Sequence, residues 1–203
     1  PADPAMERTG LVQLLLAEFH IAEIPEAANS AAVREKAKGK IWDVILLDIS
    51  MPGRNGLDVL KQLRADGIKA PVLMLSMHPE DQYALRVLKA GASGFLNKDS
   101  ATDDLIAAVH KVLSGKKYIT ASLAEKMAEA MGDGGDRAAH ELLSDRELQV
   151  LQLIAAGKTV SEIAETISLS VNTISTYRTR ILEKLSLSNN AELTRYALDN
   201  HLV

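Results

Sequence analysis

Two apolar runs without alternation limit what this chain can fold into: DVILL at residues 43–47 and PVLMLS at residues 71–76. A strand with one wet face alternates apolar and polar residues, so runs of this kind have both faces covered. Between them, residues 57–65 repeat their apolar side chains at spacings of three and four, the period of a helix. The same rhythm extends to either side. Residues 10–19 read as a helix, 21–29 as a short strand and 30–38 as a small helix, and the strand of the first run is expected over 41–47. Residues 80–90 form a helix stopped by Gly91, 94–96 a third strand, and 103–113 a helix ended by Ser114 and Gly115. Strands alternating with helices of this length build a parallel sheet joined by helical crossovers.

The pattern changes after Tyr118. Residues 122–131 are alanine-rich and helical, and Gly132-Asp133-Gly134-Gly135-Asp136 then breaks regular structure. Beyond that break every segment reads as a helix. Ser144-x-x-Glu147 and Thr159-x-x-Glu162 are capping boxes, and Asn189-x-x-Glu192 opens a last helix. A very short helix at 160–166, a tight turn at Ser168-Leu169-Ser170 and a longer helix at 171–185 have the shape of a helix-turn-helix. The expected organisation is an α/β domain over 1–118, a linker over 119–139 and an all-α helix-turn-helix domain over 140–203.

Composition removes several classes of function. There is no Cys, so a disulfide framework, a thiol nucleophile and a Cys-ligated metal are excluded. The five His are scattered without ligand spacing. No run approaches a membrane span and no secretory leader is recognisable, so the expected compartment is the cytoplasm.

In an open parallel sheet, ligands gather at the carboxyl ends of the strands. Here those ends carry Asp48, Ser76 and Asn97-Lys98-Asp99. An Asp, a hydroxyl and a Lys at one rim suit phosphoryl chemistry. The carboxylate is the nucleophile, the hydroxyl bonds a phosphoryl oxygen and the ammonium neutralises charge. Taken singly, each has a plainer reading: a strand-end Asp is usually a turn former, and Ser76 and Lys98 alone would mean little. Three consecutive strand ends in agreement carry the reading.

With those residues placed, LLDISMPGRNG, PVLMLSMH and AGASGFLNKD together resemble the receiver domain of bacterial response regulators. The stretch LLSDRELQVLQLIAAGKTVSEIAETISLSVNTISTYRTRILEKLSLSNNAEL resembles the LuxR-type helix-turn-helix that follows it in the NarL/FixJ subfamily. The resemblance implies a flavodoxin-like receiver fold followed by an all-α DNA-binding domain. It implies Asp48 as phosphoacceptor, Ser76 as switch hydroxyl, Phe95 as a switch aromatic that rotates inward, and Lys98 as the phosphate-contacting lysine. The implied cofactor is Mg2+, held by Asp48 and the backbone carbonyl of Ser50, with Met51-Pro52-Gly53 shaping the loop. It also implies a strand before the first helix that ends in two adjacent acids, which hold the metal. The sequence begins PADPAMERTGL, already level with that helix, so the reading is of a receiver without its first strand. Aligned on the helix, Ala2 falls on the first acid, Asp3 on the second and Pro4 on a following His. Three explanations stay open: a sequence cut short, a segment exchanged between chains, or a receiver that has lost phosphotransfer.

DNA binding has to survive an unhelpful charge balance. From Glu141 onward six basic side chains face eight acidic ones, so distribution matters more than total. On a helical wheel of residues 171–185, Val171, Ile174, Ile181, Leu182 and Leu185 form a core side, and Asn172, Ser175, Thr176, Thr179 and Arg180 spread over the other. A helix-turn-helix offers such a polar face to the major groove. By the resemblance, the DNA contacts are Lys158, Thr173, Ser175, Thr176, Thr179, Arg180 and Lys184. Ser175, Thr176 and Thr179 match base-reading positions, and Lys158 and Arg180 flank them as phosphate contacts. Arg178 projects toward the apolar side, where pairing with an acid would make it structural.

The expected function is that of a response regulator. A sensor histidine kinase phosphorylates Asp48, and this controls binding to double-stranded DNA as a homodimer, with contact to RNA polymerase left open. The protein is not expected to be an enzyme. The alternative is a DNA-binding regulator with a silent receiver; a phosphohydrolase is disfavoured, because Ser50 stands where such enzymes carry a second acid.

Overall fold

The apolar runs become three strands, β1 (Ile45–Asp48), β2 (Val72–Ser76) and β3 (Gly94–Asn97). They form a parallel sheet in the order β1-β2-β3. The computed structural model describes residues 4–51, 55–77, 80–100, 102–132 and 138–203. Pro52 and Gly53 of the loop after β1, Ala2 and Asp3 at the N-terminal end, and residues 133–136 of the expected linker lie outside them. The chain divides into two compact units, one holding residues 1–51 and 56–124 and the other residues 52–55 and 125–203.

In the first unit the strands are joined by helices, as their spacing requires. α3 (Gly56–Ala65) joins β1 to β2 and α4 (Glu80–Lys89) joins β2 to β3; α1 (Pro4–Glu18) and α2 (Ser30–Gly39) precede β1, α5 (Thr102–Leu113) follows β3, and α6 (Ala121–Gly132) spans the boundary between the units. β2 lies between its two neighbours and all five of its residues are buried, which accounts for its lack of alternation. Leu73 and Leu75 join Leu15 of α1 with Leu96, Leu105, Ala108, Val109 and Val112 in one cluster. Side chains alternate along a strand, so Val72, Met74 and Ser76 face the opposite side. Gly94 is required by close approach. A Cβ there would stand 2.7 Å from Leu73 Cδ2 and 2.9 Å from Tyr118 Cβ.

Two expectations need correction. Residues 21–29 hold no strand; Ile21 and Ile24 pack against the core cluster from irregular backbone, and Pro25 has no N–H to give a ladder. β1 begins at Ile45 rather than residue 41, because its first ladder bond is Ile45 N to Pro71 O at 2.8 Å. Ile41 is fully exposed, at 100%, and the Trp42 indole donates instead to the Lys36 carbonyl at 3.0 Å.

α2 is tied to the end of α3 through Asp66, which accepts from Arg34 at 3.0 Å, pairs with Lys38 at 3.1 Å and accepts from Gln62 at 3.1 Å. The Arg34 guanidinium, then the Lys38 ammonium, hold its carboxyl down at about 2 against an ordinary 3.8. The folded value is the lower one, so this contribution is complete above pH 3.8 and fades as pH falls toward about 2. An Asp66→Asn chain is expected to lose that acid-sensitive component. Acid titration followed by Trp42 fluorescence checks this, and an unchanged profile would refute it.

The second unit is helical throughout its described residues: a 3-10 turn at Ala139–Leu142, then α7 (Asp145–Ala155), α8 (Val160–Thr166), α9 (Val171–Leu185) and α10 (Asn190–Asp199). Both capping boxes form, with Ser144 and Glu147 at the start of α7 and Thr159 and Glu162 at the start of α8. Asn189 caps α10 by accepting from Glu192 N at 3.0 Å. Gly157 closes α7 at φ +83, a left-handed conformation that costs glycine little. Ile174, Ile181, Leu182 and Leu185 are buried as the wheel requires, but Val171 is not: it is 47% exposed at the first turn of α9. The core passes below the middle of that helix and leaves its start outside.

Candidate functional site

Sheet register assembles the first site. Asp48 is level with Leu75 on β2, and Ser76, the next residue, is level with Asn97 on β3. Lys98 follows directly, and its backbone N donates to the Ser76 carbonyl at 2.7 Å. From there its Nζ reaches Asp48 Oδ2 at 2.7 Å, with side-chain exposures of 19% for Lys98 and 30% for Asp48. Asp48 Oδ1 accepts from Ser50 N at 2.9 Å. One carboxylate is thus held by an ammonium on one oxygen and a backbone donor on the other, half open to solvent at the carboxyl rim of the sheet. That is a geometry for an attacking anion whose product charge is already countered.

Ser76 is fully buried, and Phe95 on β3 is 2% exposed. Both side chains are therefore enclosed in this arrangement. Asn55, just before α3, is also buried at 1%, which nothing in its spacing announced.

Receiver chemistry implies magnesium, an ion that takes about six oxygens in octahedral array and keeps several waters. Among the described residues no group of three or more His, Asp or Glu side chains could hold a metal. Asp48 with the Ser50 carbonyl supplies one charged donor, already shared with Lys98. These residues alone do not fit a magnesium site.

The second site lies on α9. Ser170 caps it, accepting from Thr173 N at 3.1 Å, and the Thr173 hydroxyl stands 2.8 Å from Ser170 Oγ. Ser175, Thr176, Thr179 and Arg180 are exposed together on the face away from the core. Lys158, also exposed, reaches Thr166 Oγ1 at 3.4 Å across the short α8. Arg178 donates from Nε to Asn190 Oδ1 at 2.6 Å, so it anchors α9 to α10 through an amide rather than an acid.

Lys184 goes elsewhere. Its Nζ lies 2.6 Å from Glu147 Oε2 and 3.3 Å from the Leu142 carbonyl. The Glu147 side chain is only 4% exposed and also accepts from Ser144 N at 2.7 Å. Burial pushes its carboxyl up, but the bonds from Lys184 and Ser144 outweigh that and hold it below its ordinary value. The sequence shows Glu147 only as half of a capping box; its cation, 37 residues away, leaves no local signal.

Comparison with known proteins agrees with both halves. Residues 3–110 match the response regulator receiver domain, and residues 141–197 match the luxR family of bacterial regulatory proteins. The transcriptional regulatory protein UhpA of Escherichia coli K12 is 36% identical, over 97% of this chain and 95% of its own. Response regulator UvrY of the same strain is 31% identical, over 98% and 92%. Response regulator GacA of Pseudomonas viridiflava is 30% identical, over 99% and 94%. Among solved structures, Salmonella enterica RcsB bound to the rprA promoter in the presence of a phosphomimetic matches with a TM-score of 0.65 and 25% identity, over 96% and 93%. These are transcription regulators rather than enzymes, and among the described residues no helix is long and apolar enough to cross a membrane. With a receiver matched over more than half of its length and full-length relatives of the same two-part plan, the chain belongs to the NarL/FixJ family of two-component response regulators.

Proposed function

We propose that Asp48 is the phosphoacceptor and that its phosphorylation by a sensor histidine kinase controls DNA binding by the helix-turn-helix. The observation that carries this is the Lys98 ammonium, just past the end of β3, 2.7 Å from Asp48 Oδ2 at the end of β1, across the carboxyl rim of the sheet. An Asp48 carboxylate oxygen attacks the phosphorus of the kinase's phosphohistidine. The P–N bond breaks, the imidazole leaves with its electron pair, and an acyl phosphate forms on Asp48. The acyl phosphate carries roughly two negative charges where the carboxylate carried one, and Lys98 is in place to balance them. The Ser76 hydroxyl, at the end of β2, is the donor to a phosphoryl oxygen. Phe95, level with Met74 on the neighbouring strand, couples that rim to α4 and α5 as a two-state element.

In the same reading, residues 1–118 are the receiver, 119–139 the connection and 140–203 the DNA-binding domain, acting in the cytoplasm. Ser175, Thr176 and Thr179 face bases, and Lys158, Thr173 and Arg180 contact the backbone of a duplex. RcsB was solved as dimers on DNA, which supports a homodimer on paired half-sites here. Lys184 is better read as a positioning residue than as a DNA contact, because its amine is committed to Glu147. Incubation with acetyl phosphate and magnesium is expected to add one phosphoryl mass to the chain and none to Asp48→Ala, as read by intact-mass spectrometry. A folded chain that takes no adduct, or an adduct that persists on Asp48→Ala, would overturn the assignment.

A further inference from the structure

The hydroxyl protons of Thr176 and Thr179 on α9 are already engaged in hydrogen bonds. Thr176 Oγ1 donates to the Asn172 carbonyl at 2.9 Å, and Thr179 Oγ1 donates to the Ser175 carbonyl at 3.1 Å. Each bond runs back one turn of the helix, which turns the hydroxyl toward the backbone and leaves the methyl on the outer surface. Both residues are exposed, so what they present outward is a methyl group and the lone pairs of an oxygen whose single proton is spent.

The base pairs respond differently to such a surface. The major-groove edge of guanine carries only acceptors, O6 and N7, and a hydroxyl without a free proton has nothing to offer them. Cytosine offers an N4 donor but no methyl. A T·A pair offers both complements on one edge, the thymine C5 methyl for contact and, past the O4 acceptor, the adenine N6 amino group for the lone pair. On the reading of α9 as the base-reading helix, on which this inference rests, we infer that Thr176 and Thr179 select T·A pairs by methyl contact and acceptor, and exclude guanine. The selectivity belongs to the locked rotamers: a threonine whose hydroxyl pointed outward would read guanine as readily.

The test starts by selecting duplexes from a random library with the full chain. Each thymine of the selected half-site is then replaced in turn by deoxyuridine, which lacks only the C5 methyl, and affinity is read by fluorescence anisotropy. Loss of one buried methyl contact is worth about fourfold. The expected result is about a fourfold weakening at one or two thymines. That sensitivity should vanish in Thr176→Ser and Thr179→Ser, which keep the hydroxyl, and persist in Thr176→Val and Thr179→Val, which keep the methyl. Deoxyuridine tolerated everywhere, or valine variants that lose the thymine preference while serine variants keep it, would overturn the inference and leave base reading by α9 standing. If α9 does not read bases, no sequence is enriched at all, and the inference falls with that reading; helix content by circular dichroism excludes unfolding as the cause.

Discussion

Gly56→Ala is expected to cost the first unit about 3 kcal/mol of stability and to abolish phosphoryl uptake at Asp48. A Cβ on residue 56 would stand 2.0 Å from the Asp48 carbonyl oxygen, 2.8 Å from its carbonyl carbon and 3.0 Å from Ile49 Cα. All three are backbone atoms, so no side-chain rotation relieves the clash. Gly56 N also donates to the Ile49 carbonyl at 2.8 Å, which pins the start of α3 against the end of β1. To admit a methyl group, either the helix must retreat or the strand end that carries Asp48 must move. The first loses buried contacts of Leu57 and Leu60, each fully buried. The second breaks the alignment of Asp48 with Lys98. Urea unfolding followed by the fluorescence of Trp42, the single tryptophan, measures the first effect, and intact mass after acetyl phosphate measures the second. A wild-type midpoint together with a normal adduct would show that the close approach is not as tight as described.

Lys184→Met is expected to be the most damaging single change in the second unit. It leaves the Glu147 carboxylate, with 4% side-chain exposure, without its cation. Stranding one member of a fully buried pair typically costs about 3 kcal/mol, and with the Lys184 side chain 39% exposed the loss here should be smaller; replacing both members by groups of similar shape is often close to neutral. Glu147→Gln with Lys184→Met should therefore recover most of the loss, since the amide oxygen can still accept from Ser144 N. Circular dichroism during urea unfolding reads the helical unit, and the Trp42 transition serves as reference for the other. If the double variant were as unstable as the single one, lost packing by the lysine stem would be the better explanation. Acid acts on the same pair. The folded carboxyl titrates below its ordinary 4.5, so the pair contributes fully above pH 4.5 and is lost as pH falls through the lower folded value. Because the pair joins the start of α7 to the last turn of α9, the positioning of α9 should weaken with it, and, on the proposed reading of α9 as the DNA-contacting helix, DNA affinity should fall alongside stability.

Features carried by near neighbours in the chain were legible without coordinates. The start of α8 follows from Thr159 as a cap and that of α9 from the turn at residues 168–170, and the burial of β2 follows from an apolar run with no alternation. Asp48, Ser76 and Lys98 could be aligned before the register was known, because parallel strands bring their carboxyl ends to one rim. The misreadings are of another kind. Residues 21–29 have apolar character suited to a strand and form none, and residues 41–44 read as the start of β1 but stay outside the ladder. A strand exists only through a partner, and its own residues do not say whether one is there. Val171 fits the apolar stripe of α9 by angle, yet the core does not extend that far along the helix.

What the sequence by itself determined are the repeating order of elements, the caps that start the helices and the identity of the polar residues at each strand end. All are set by interactions within a few residues, where chain geometry leaves few alternatives. Only the tertiary structure decided which charges meet. Asp48 and Lys98 are 50 residues apart and Glu147 and Lys184 are 37 apart. The first pair is made by sheet register and the second by the packing of α7 on α9. The sequence placed Lys98 beside the phosphoryl site on Asp48 and Lys184 among the DNA contacts. Burial separates them: one lysine faces a carboxylate left open at the sheet rim, and the other neutralises a carboxylate that folding has closed in.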